Sequence, residues 1–324
     1  MRRCQTRGVP QREETLRIHL DTDLGGDPDD ACALGMLLGW PNVEVVGITT
    51  TIDPAGKRAG CVAHCLELVR REGIPLAAGA AASLTTLRLA EPATDDERYW
   101  PADIEPAPGP PGAALDLLAR SIEQDATVIA IGPLTNLALL GICRPESLRQ
   151  ARIVAMGGWV ASPAEGLPAW RPERDFNVQW DARAAEIVAA CADVTLVPLP
   201  VTLKAHLRAR ELPRLRASGA LGTLLAQQSE ARCADAGMAE LGRAHAGLPD
   251  DLVNFHHDPL TCVVALGWPD VVVETMPLVP VVEDHVLRFE RDEDGRPTKV
   301  AVDVDGESFT ETWLEAVEAA QGRR

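Results

Sequence analysis

Short apolar runs alternate along this chain with stretches in which apolar residues recur at helical spacing. The run from Leu16 to Leu20 is followed by a Gly pair and predicts a buried strand. Further runs of this kind recur, and most are followed by a helical stretch. This alternation predicts an α/β fold with a doubly wound, mostly parallel sheet and helices on both faces. The later predicted strands of this type lie at 43–49, 75–78, 127–131, 152–156 and 194–199.

The end of the chain has a different pattern. Apolar runs at 278–282, 286–289 and 299–304 predict antiparallel strands around a turn, with a final helix over 309–320. Two stretches without sustained periodicity are predicted as long loops, 80–112 and about 159–177. We see no domain boundary, so residues 16–324 are predicted as one domain and residues 1–15 as a loose N-terminal tail. The other predicted helices are 31–39, 58–71, 113–123, 134–140, a helix capped by Asp181, segments within 209–246, and one opening at 257.

The most informative polar stretch follows the first predicted strand. Residues 21–30 read DTDLGGDPDD and hold five carboxylates. Pro28 suits a first helical turn, which places Asp29 and Asp30 at the positive end of the next helix. Crowded carboxylates raise each other's pKa, and a hard divalent cation with oxygen ligands removes that repulsion. The stretch therefore favours a metal site over a solvated acidic turn.

Other predicted strands also end in polar or Gly-rich groups, at 49–51, 132–136 and 157–158. In open α/β sheets, ligands bind outside the carboxyl ends of the strands. The pattern therefore predicts one site at one edge of the sheet, around the Asp-rich stretch.

Composition narrows the function classes. The chain has 324 residues and a formal net charge of −17, which argues against nucleic acid and anionic membranes as partners. Its eight cysteines form no CxxC pair, and no secretory signal or membrane-spanning run is visible. These features predict reduced thiols in a cytoplasmic protein.

Five motifs in order resemble a known family. The Asp-rich motif is followed by GPLTN at 132–136, MGG at 156–158, DFN at 175–177 and HDP at 257–259. Together they resemble the nucleoside hydrolase family, the inosine-uridine type of nucleoside N-ribohydrolases. The resemblance implies Ca²⁺-dependent hydrolysis of the N-glycosidic bond of a ribonucleoside or related ribosyl compound, through metal-bound water and an oxocarbenium-like transition state. It also implies a homodimer or homotetramer acting on a small nucleoside-like substrate.

The resemblance carries roles onto individual residues. The carboxylates of Asp23, Asp30 and Asp258 and the backbone carbonyl of Ile131 would bind Ca²⁺. Asp23 would also be the catalytic base, and a protonated His257 would assist departure of the nucleobase. The residues implied to hold the ribose are Asp29 at the 2′-hydroxyl, Asn177 and Asp175 at the 3′- and 5′-hydroxyls, and Met156 beside the sugar.

Several assignments have structural alternatives. Asp258 could instead cap a helix with Pro259 at its first position, and His256 could replace His257. We interpret Asn136 as a helix cap. The tryptophans of the long loops could stack on a base or serve structure alone; they are Trp100, Trp159 and Trp170.

The chain departs from the family pattern on the sugar and base side. Asp53-Pro54 stands where the family has an Asn, and Asp175 is one methylene shorter than the usual Glu. The family's Asn after MGG has no clear counterpart here. A non-catalytic nucleoside-binding relative therefore stays an alternative. A metal-dependent phosphohydrolase is a weaker one, because there is no P-loop and the nearby basic residues are only Lys57 and Arg58.

Overall fold

A computed structural model of the chain describes residues 15–91 and 96–322. The predicted tail, apart from residue 15, lies outside the described residues. The strands are β1 Leu16–Thr22, β2 Val43–Thr50, β3 Leu76–Ala78, β4 Thr127–Ala130, β5 Arg152–Met156, β6 Asp193–Val197, β7 His206–Arg208, β8 Leu252–Phe255, β9 Val271–Glu283, β10 Val286–Arg291 and β11 Arg296–Val304. The α-helices are α1 Asp29–Gly39, α2 Lys57–Leu68, α3 Ala113–Glu123, α4 Thr135–Cys143, α5 Pro145–Gln150, α6 Phe176–Trp180, α7 Ala182–Cys191, α8 Leu199–Thr202, α9 Leu212–Ala217, α10 Ala220–Ala236, α11 Met238–Ala244, α12 His257–Ala265 and α13 Gly306–Ala320, with 3-10 turns at Pro172–Arg174 and Ala209–Glu211.

Nine strands form the main sheet, in the order β10-β9-β11-β6-β5-β4-β1-β2-β3. The pairs from β3 to β6 and the contact of β6 with β11 are parallel, whereas β9 pairs antiparallel with both β10 and β11. This arrangement confirms the predicted mostly parallel sheet with an antiparallel C-terminal part. Parallel strands bring their carboxyl ends to one edge, so the polar groups that follow β1, β2, β4 and β5 share that edge.

Apolar packing covers both faces of the sheet. In β1, Ile18 and Leu20 face a large core that also holds Leu34 of α1, Leu225 of α10 and Trp313 of α13. A second core packs α3, α4, α5 and α7 against the opposite face. Because both faces are buried, β1 reads as a nearly continuous apolar run rather than as an alternating one.

Most predicted element boundaries are close to the observed ones, with identifiable exceptions. The strand predicted at 278–282 is β9, which begins seven residues earlier, at Val271. The second predicted loop was too long, since it contains a 3-10 turn and α6 begins at Phe176. The sequence analysis missed α5, α8 and a small antiparallel sheet of β7 and β8. These elements have three to six residues, too short for a periodic pattern to emerge.

The described part of the 80–112 stretch contains no α-helix and only an isolated bridge between Ala82 and Leu89. Its first part is attached to the fold through the buried carboxylate of Asp181. That carboxylate accepts hydrogen bonds from the backbone N–H groups of Leu84 (2.8 Å) and Thr85 (3.0 Å). It also accepts from the Thr135 hydroxyl (2.7 Å) and caps α7 through the N–H of Ala184 (3.3 Å). The predicted cap is confirmed, and it joins the loop to α4 and α7.

No helix among the described residues combines the length and the apolar character needed to cross a bilayer.

Replacing Asp181 by Ala is expected to lower the free energy of unfolding by about 3 kcal/mol. The change removes a helix cap and leaves several buried donors unsatisfied. Urea unfolding measures the loss. Asp305→Ala is the matched control, because this exposed cap of α13 accepts from Ser308 N–H alone at 3.1 Å and should lose about 1 kcal/mol. Equal losses in the two variants would contradict the joining role of Asp181.

Candidate active site

The candidate site begins where β1 ends, in the Asp-rich stretch. Asp30, in the first turn of α1, accepts a hydrogen bond from the Thr22 hydroxyl at 2.5 Å and from the backbone N–H of Asp23 at 3.2 Å. The hydroxyl of Thr22 in turn accepts from Leu24 N–H at 3.1 Å. The start of α1 is thereby folded back onto the end of β1. Asp23 and Asp30 are neighbours as a result.

The turn after β4 lies against the same carboxylate. A Cβ added to Gly132 would stand 2.8 Å from Asp23 Oδ1 and 2.9 Å from the Asp23 nitrogen. Only a residue without a side chain leaves room for this approach. Ile131, directly before this glycine, donates its N–H to Asp21 O at 2.8 Å. The implied carbonyl ligand thus follows β4 at the point where the Asp23 carboxylate packs.

The first turn of α12 also contributes to the cluster. Asp29 Oδ2 accepts from the backbone N–H of Asp258 at 3.0 Å, which joins the first turns of α1 and α12. The other Asp29 oxygen is buried and has no hydrogen-bond partner among the described residues. Helix α12 begins at His257 and its N-cap residue is His256. The alternative of Asp258 as the cap is therefore wrong, and its carboxylate is free to face the cluster.

The carboxylates perturb one another strongly. Burial raises the pKa of Asp23 to about 6, while the positive charge of Arg58 partly opposes the rise. Burial, followed by the charge of Asp23, raises the pKa of Asp30 well above its ordinary value. Burial and the charges of Asp29, Asp30 and Asp23 do the same to the pKa of Asp258. The sequence analysis predicted this mutual repulsion from spacing, and the fold adds Asp258 from far along the chain.

As the side chains stand, residues 15–91 and 96–322 contain no group of three or more His, Cys, Asp or Glu that could hold a metal ion. The chemistry of the donors nevertheless fits a hard cation, since Asp30 and Asp258 are buried carboxylates, Asp23 is a half-buried one, and one Asp29 oxygen is unpartnered. The Ile131 carbonyl accepts one hydrogen bond and keeps a second lone pair. The residues present therefore suit Ca²⁺ or Mg²⁺ better than a softer metal.

Two of the predicted sugar contacts lie together beside Ile131. The Asn177 amide donates to the Ile131 carbonyl at 2.8 Å and lies 3.4 Å from both the carbonyl oxygen and the sulfur of Met156. Both side chains are buried or nearly so. The short helix α6 thus brings Asn177 across the carboxyl ends of β4 and β5.

The third, Asp175, is held by the backbone. Its carboxylate accepts from Gly158 N–H at 2.7 Å and from Val178 N–H at 3.3 Å, so that it caps α6. Gly157 has a φ of 124°, and a Cβ there would lie 2.9 Å from Asp175 Oδ1. Burial raises the pKa of Asp175 to about 6, and these backbone donors oppose the rise. The shorter acid therefore has a structural task in addition to any contact with a sugar.

Asp53, which stands where the family has an Asn, also accepts hydrogen bonds from backbone N–H groups. It is buried and accepts from the N–H groups of Arg58 (3.1 Å) and Ala59 (3.0 Å) in the first turn of α2. It also accepts from the hydroxyl of Thr50 at 2.8 Å. This departure from the family pattern thus supplies an anion for a helix N-terminus.

Asn136 does not cap a helix, which corrects our interpretation. It is the second residue of α4, and its amide nitrogen donates to Asp21 Oδ1 (2.8 Å) and Thr50 O (2.9 Å). Its amide oxygen accepts from Ala80 N–H at 2.8 Å. Asn136 therefore connects the ends of β1, β2 and β3 beneath the candidate site.

Of the two adjacent histidines, His257 is the one with a polar contact. Its Nδ1 lies 2.6 Å from the Thr202 hydroxyl, which itself donates to Leu199 O at 2.9 Å. If the Thr202 hydroxyl donates to Leu199 O, then Nδ1 of His257 is the donor in this pair, and Nε2 keeps its lone pair. His256 is fully buried against Trp313, with a centroid separation of 4.3 Å and no partner for either ring nitrogen among the described residues.

The expected protonated state of His257 is not supported. Burial, with the positive charge of Arg232 next, lowers the pKa of His257 to about 3. The imidazole is therefore neutral near pH 7 in this arrangement. The hydrogen-bond contact with Thr202 could not be read from the sequence, because 55 residues separate the two side chains.

The loop tryptophans fall into different environments. Trp100 is buried and donates its indole N–H to Gly25 O at 3.1 Å, which supports the Asp-rich turn. Trp159 belongs to the large core. Trp170 is half-buried, with its ring centroid 5.6 Å from Phe255 and 6.5 Å from His257. Trp170 thus lies beside His257, a predicted site residue.

The sequence analysis did not identify the roles of Thr22 and Thr202 or the burial of Arg58. Thr22 had a visible signal, since it stands between two Asp residues at a strand end. Arg58 was noted only as a nearby basic residue, yet its side chain is 8% exposed and its guanidinium donates to the backbone carbonyl of Asp23.

Comparisons with known proteins agree with the motifs. The family model described as inosine-uridine preferring nucleoside hydrolase matches residues 18–311. A pyrimidine-specific ribonucleoside hydrolase, RihA, from Salmonella schwarzengrund (strain CVM19633) is 37% identical over 223 residues, which is 65% of this chain and 70% of the relative. A solved plant nucleoside hydrolase, PpNRh1, is similar with a TM-score of 0.75 at 25% identity, over 94% of this chain and 99% of that one. The fold is shared with a purine-preferring ribonucleoside hydrolase from Gardnerella vaginalis, with a TM-score of 0.73 at 23% identity, over 95% of this chain and 100% of that one.

Gly132→Ala is expected to weaken divalent-cation binding by about tenfold or more, because the new Cβ displaces the Asp23 carboxylate. Isothermal titration calorimetry of the metal-stripped protein measures the affinity. Gly73→Ala is the matched control, since a Cβ there meets nothing within 4 Å and should leave the affinity unchanged. Unaltered binding in Gly132→Ala would mean that Asp23 is not a ligand.

Proposed function

Since the chain belongs to the inosine-uridine preferring nucleoside hydrolase family and is an N-ribohydrolase, we propose that it hydrolyses ribonucleosides or related ribosyl compounds with Ca²⁺ as its cofactor. The products are ribose and the free base. The observation that carries the proposal is the cluster of Asp23, Asp29, Asp30 and Asp258, four buried or half-buried carboxylates gathered from distant parts of the chain. The homodimer or homotetramer and the cytoplasmic location implied above stay predictions.

We propose that Asp23, Asp30, Asp258 and the Ile131 carbonyl hold the cation. When bound there, Ca²⁺ would collect the attacking water and the ribose hydroxyls and lower the pKa of that water. Asp23 then acts as the base that takes the proton from the water. The pKa of about 6 that burial gives Asp23 leaves it ionised near neutral pH, as a base must be.

The remaining carboxylates suit the charge that develops on the sugar. N-glycosidic cleavage passes through an oxocarbenium-like state with positive charge on the ribose, and fixed carboxylates stabilise such charge in a site that excludes water. Asp29 keeps one oxygen unpartnered and is proposed to accept the ribose 2′-hydroxyl. Asn177, Asp175 and Met156 are proposed to bound the rest of the ribose.

The base side is proposed to lie at His257 and Trp170. With its Nδ1–H given to Thr202, a neutral His257 offers the Nε2 lone pair. It can therefore accept an N–H of the base, and it can return a proton to the departing base only after it has itself acquired one. Trp170 is proposed to supply a flat apolar surface next to it.

Hydrolysis of p-nitrophenyl riboside and of a panel of pyrimidine, purine and modified nucleosides tests the proposal. Each assay is run on Ca²⁺-loaded and chelator-treated protein, with base release followed chromatographically. Pyrimidine nucleosides come first because the RihA relative is pyrimidine-specific. Turnover that stops with chelator and returns with Ca²⁺ supports the proposal. Binding of nucleosides and Ca²⁺ without turnover would instead identify a binding relative.

Ca²⁺ binding is expected to release protons. Burial raises the pKa of Asp23 to about 6 and raises the pKa of Asp30 and of Asp258 above its ordinary value, and a cation binds only ionised carboxylates, so its binding should displace the protons that they carry. Affinity should therefore rise as the pH rises through the pKa of Asp23, about 6. Because the folded protein binds these protons more tightly than the unfolded chain does, the metal-free protein should lose stability as pH rises through the raised pKa values. Calorimetry in buffers of different ionisation enthalpy measures the protons, and a buffer-independent heat would contradict the expectation.

His257→Ala is expected to lower kcat/KM for natural nucleosides by about tenfold, because it removes the Nε2 acceptor for an N–H of the base. It should affect p-nitrophenyl riboside much less, because nitrophenolate has no N–H for Nε2 to accept. Steady-state kinetics on both substrates measure the difference. Equal losses on the two substrates would remove His257 from the base side.

A further inference from the structure

A buried arginine lies inside this acidic site. Arg58, in the first turn of α2, donates its Nε–H to Ile52 O at 3.1 Å, and its Nη1 donates to the backbone carbonyl of Asp23. A Cβ on Gly26 would be 4.0 Å from the same Nη1. One planar guanidinium thus spans the chain segments that leave β1 and β2. A rigid fork with several donors suits this task better than an ammonium group.

The backbone that Arg58 holds is in an unfavourable conformation. Ile52 has a φ of 46°, in the left-handed region that β-branched residues rarely adopt. Such conformations persist only where the surroundings fix them, and they cluster at functional sites. The Arg58 Nε–H is bonded to the carbonyl of this very residue.

The base of the Arg58 side chain is fixed as well. Asp53 accepts the backbone N–H of Arg58, and Asp53 itself donates its N–H to Ala80 O at 3.0 Å. Thr51 donates its N–H to Thr22 O at 2.8 Å beside it. The arginine is therefore pre-positioned from both ends, and only its guanidinium reaches toward the Asp-rich turn.

We propose that Arg58 is a positioning residue for the cation site: by holding the main chain of Asp23, it directs the Asp23 carboxylate toward Asp30 and the Gly132 turn. The inference rests on the proposed cation-dependent hydrolysis. Its function requires the two-pronged hydrogen bonding of the guanidinium and not only its charge.

The charge of Arg58 and its hydrogen bonds predict opposite changes in Ca²⁺ affinity when Arg58 is replaced. Arg58 is positive and acts electrostatically on both Asp23 and Asp30. By Coulomb's law alone, its removal would strengthen the binding of a divalent cation. Loss of the hydrogen bonds to Ile52 and Asp23 frees the turn and weakens binding. The direction of the change therefore separates the two roles.

The experiment measures Ca²⁺ affinity of metal-stripped Arg58→Lys and Arg58→Met by calorimetry, well below their unfolding temperatures. Lysine keeps the charge but loses the fork, and methionine loses both. Both variants are expected to bind Ca²⁺ about 10- to 100-fold more weakly. At saturating Ca²⁺ their kcat should also fall more than KM changes. If Arg58→Met does not fold, Arg58→Lys decides alone.

Arg152→Lys is the matched control. Arg152 lies at the amino end of β5, away from the candidate site, and its guanidinium also donates two hydrogen bonds, to the side chain (2.9 Å) and the backbone (2.7 Å) of Asp125. The Arg152→Lys variant should therefore bind Ca²⁺ with wild-type affinity. Wild-type affinity in Arg58→Lys, or tighter binding in Arg58→Met, would overturn the inference. If the wild-type protein itself binds no divalent cation, the proposed function fails instead.

Discussion

Repulsion among buried carboxylates is the constraint on which the rest of this site depends. Burial raises the pKa of Asp23, Asp29, Asp30 and Asp258, and the charges of neighbouring carboxylates add to the rise. Such a cluster costs folding free energy unless positive charge or hydrogen-bond donors oppose it. The chain supplies the Thr22 hydroxyl, the N–H groups of Asp23 and Asp258, and the guanidinium of Arg58. The hydroxyl and the two N–H groups donate to carboxylate oxygens, the guanidinium donates to the backbone carbonyl of Asp23, and one Asp29 oxygen stays unpartnered.

Polar residues beneath this cluster are mostly engaged by the backbone. Asn136 connects three strand ends, and Asp53 accepts from two N–H groups in the first turn of α2. Asp175 caps α6, and Asp181 joins a long loop to two helices. Each of these side chains is buried, and each satisfies donors that would otherwise be unpaired. Asp53 and Asp175, where the chain departs from the family pattern, therefore both accept hydrogen bonds from backbone N–H groups. They change which groups are left to meet the sugar, while the carboxylate cluster is retained.

The surroundings of His257, the proposed base side, depend on packing more than on charge. His257 is held between Phe255, whose ring lies 5.3 Å away, and the Thr202 hydroxyl. Burial favours the neutral imidazole, so its contribution is set by which nitrogen carries the hydrogen. Trp170 approaches from the loop after β5, and Arg174 lies 5.5 Å from the centroid of its ring. The apolar and cationic surroundings of His257 and Trp170 differ from the acidic surroundings of the carboxylate cluster. This difference in charge across the proposed site suits a bond that breaks with positive charge on the ribose and negative charge on the base.

The sheet class, most element positions and the polar groups that follow the strands could all be predicted from the amino-acid pattern. Strand-helix alternation forces parallel strands, and parallel strands bring their carboxyl ends together, so Asp23, Ile131 and Met156 had to share an edge. Local propensity also predicted the capping by Asp181. Tertiary structure alone decided which side chains oppose these groups. The contacts of Asp258 with Asp29, of Thr202 with His257 and of Arg58 with the Asp23 carbonyl join residues separated by 229, 55 and 35 positions. No periodicity or turn preference carries such information, because these contacts arise only when distant elements pack against each other and bury their polar atoms.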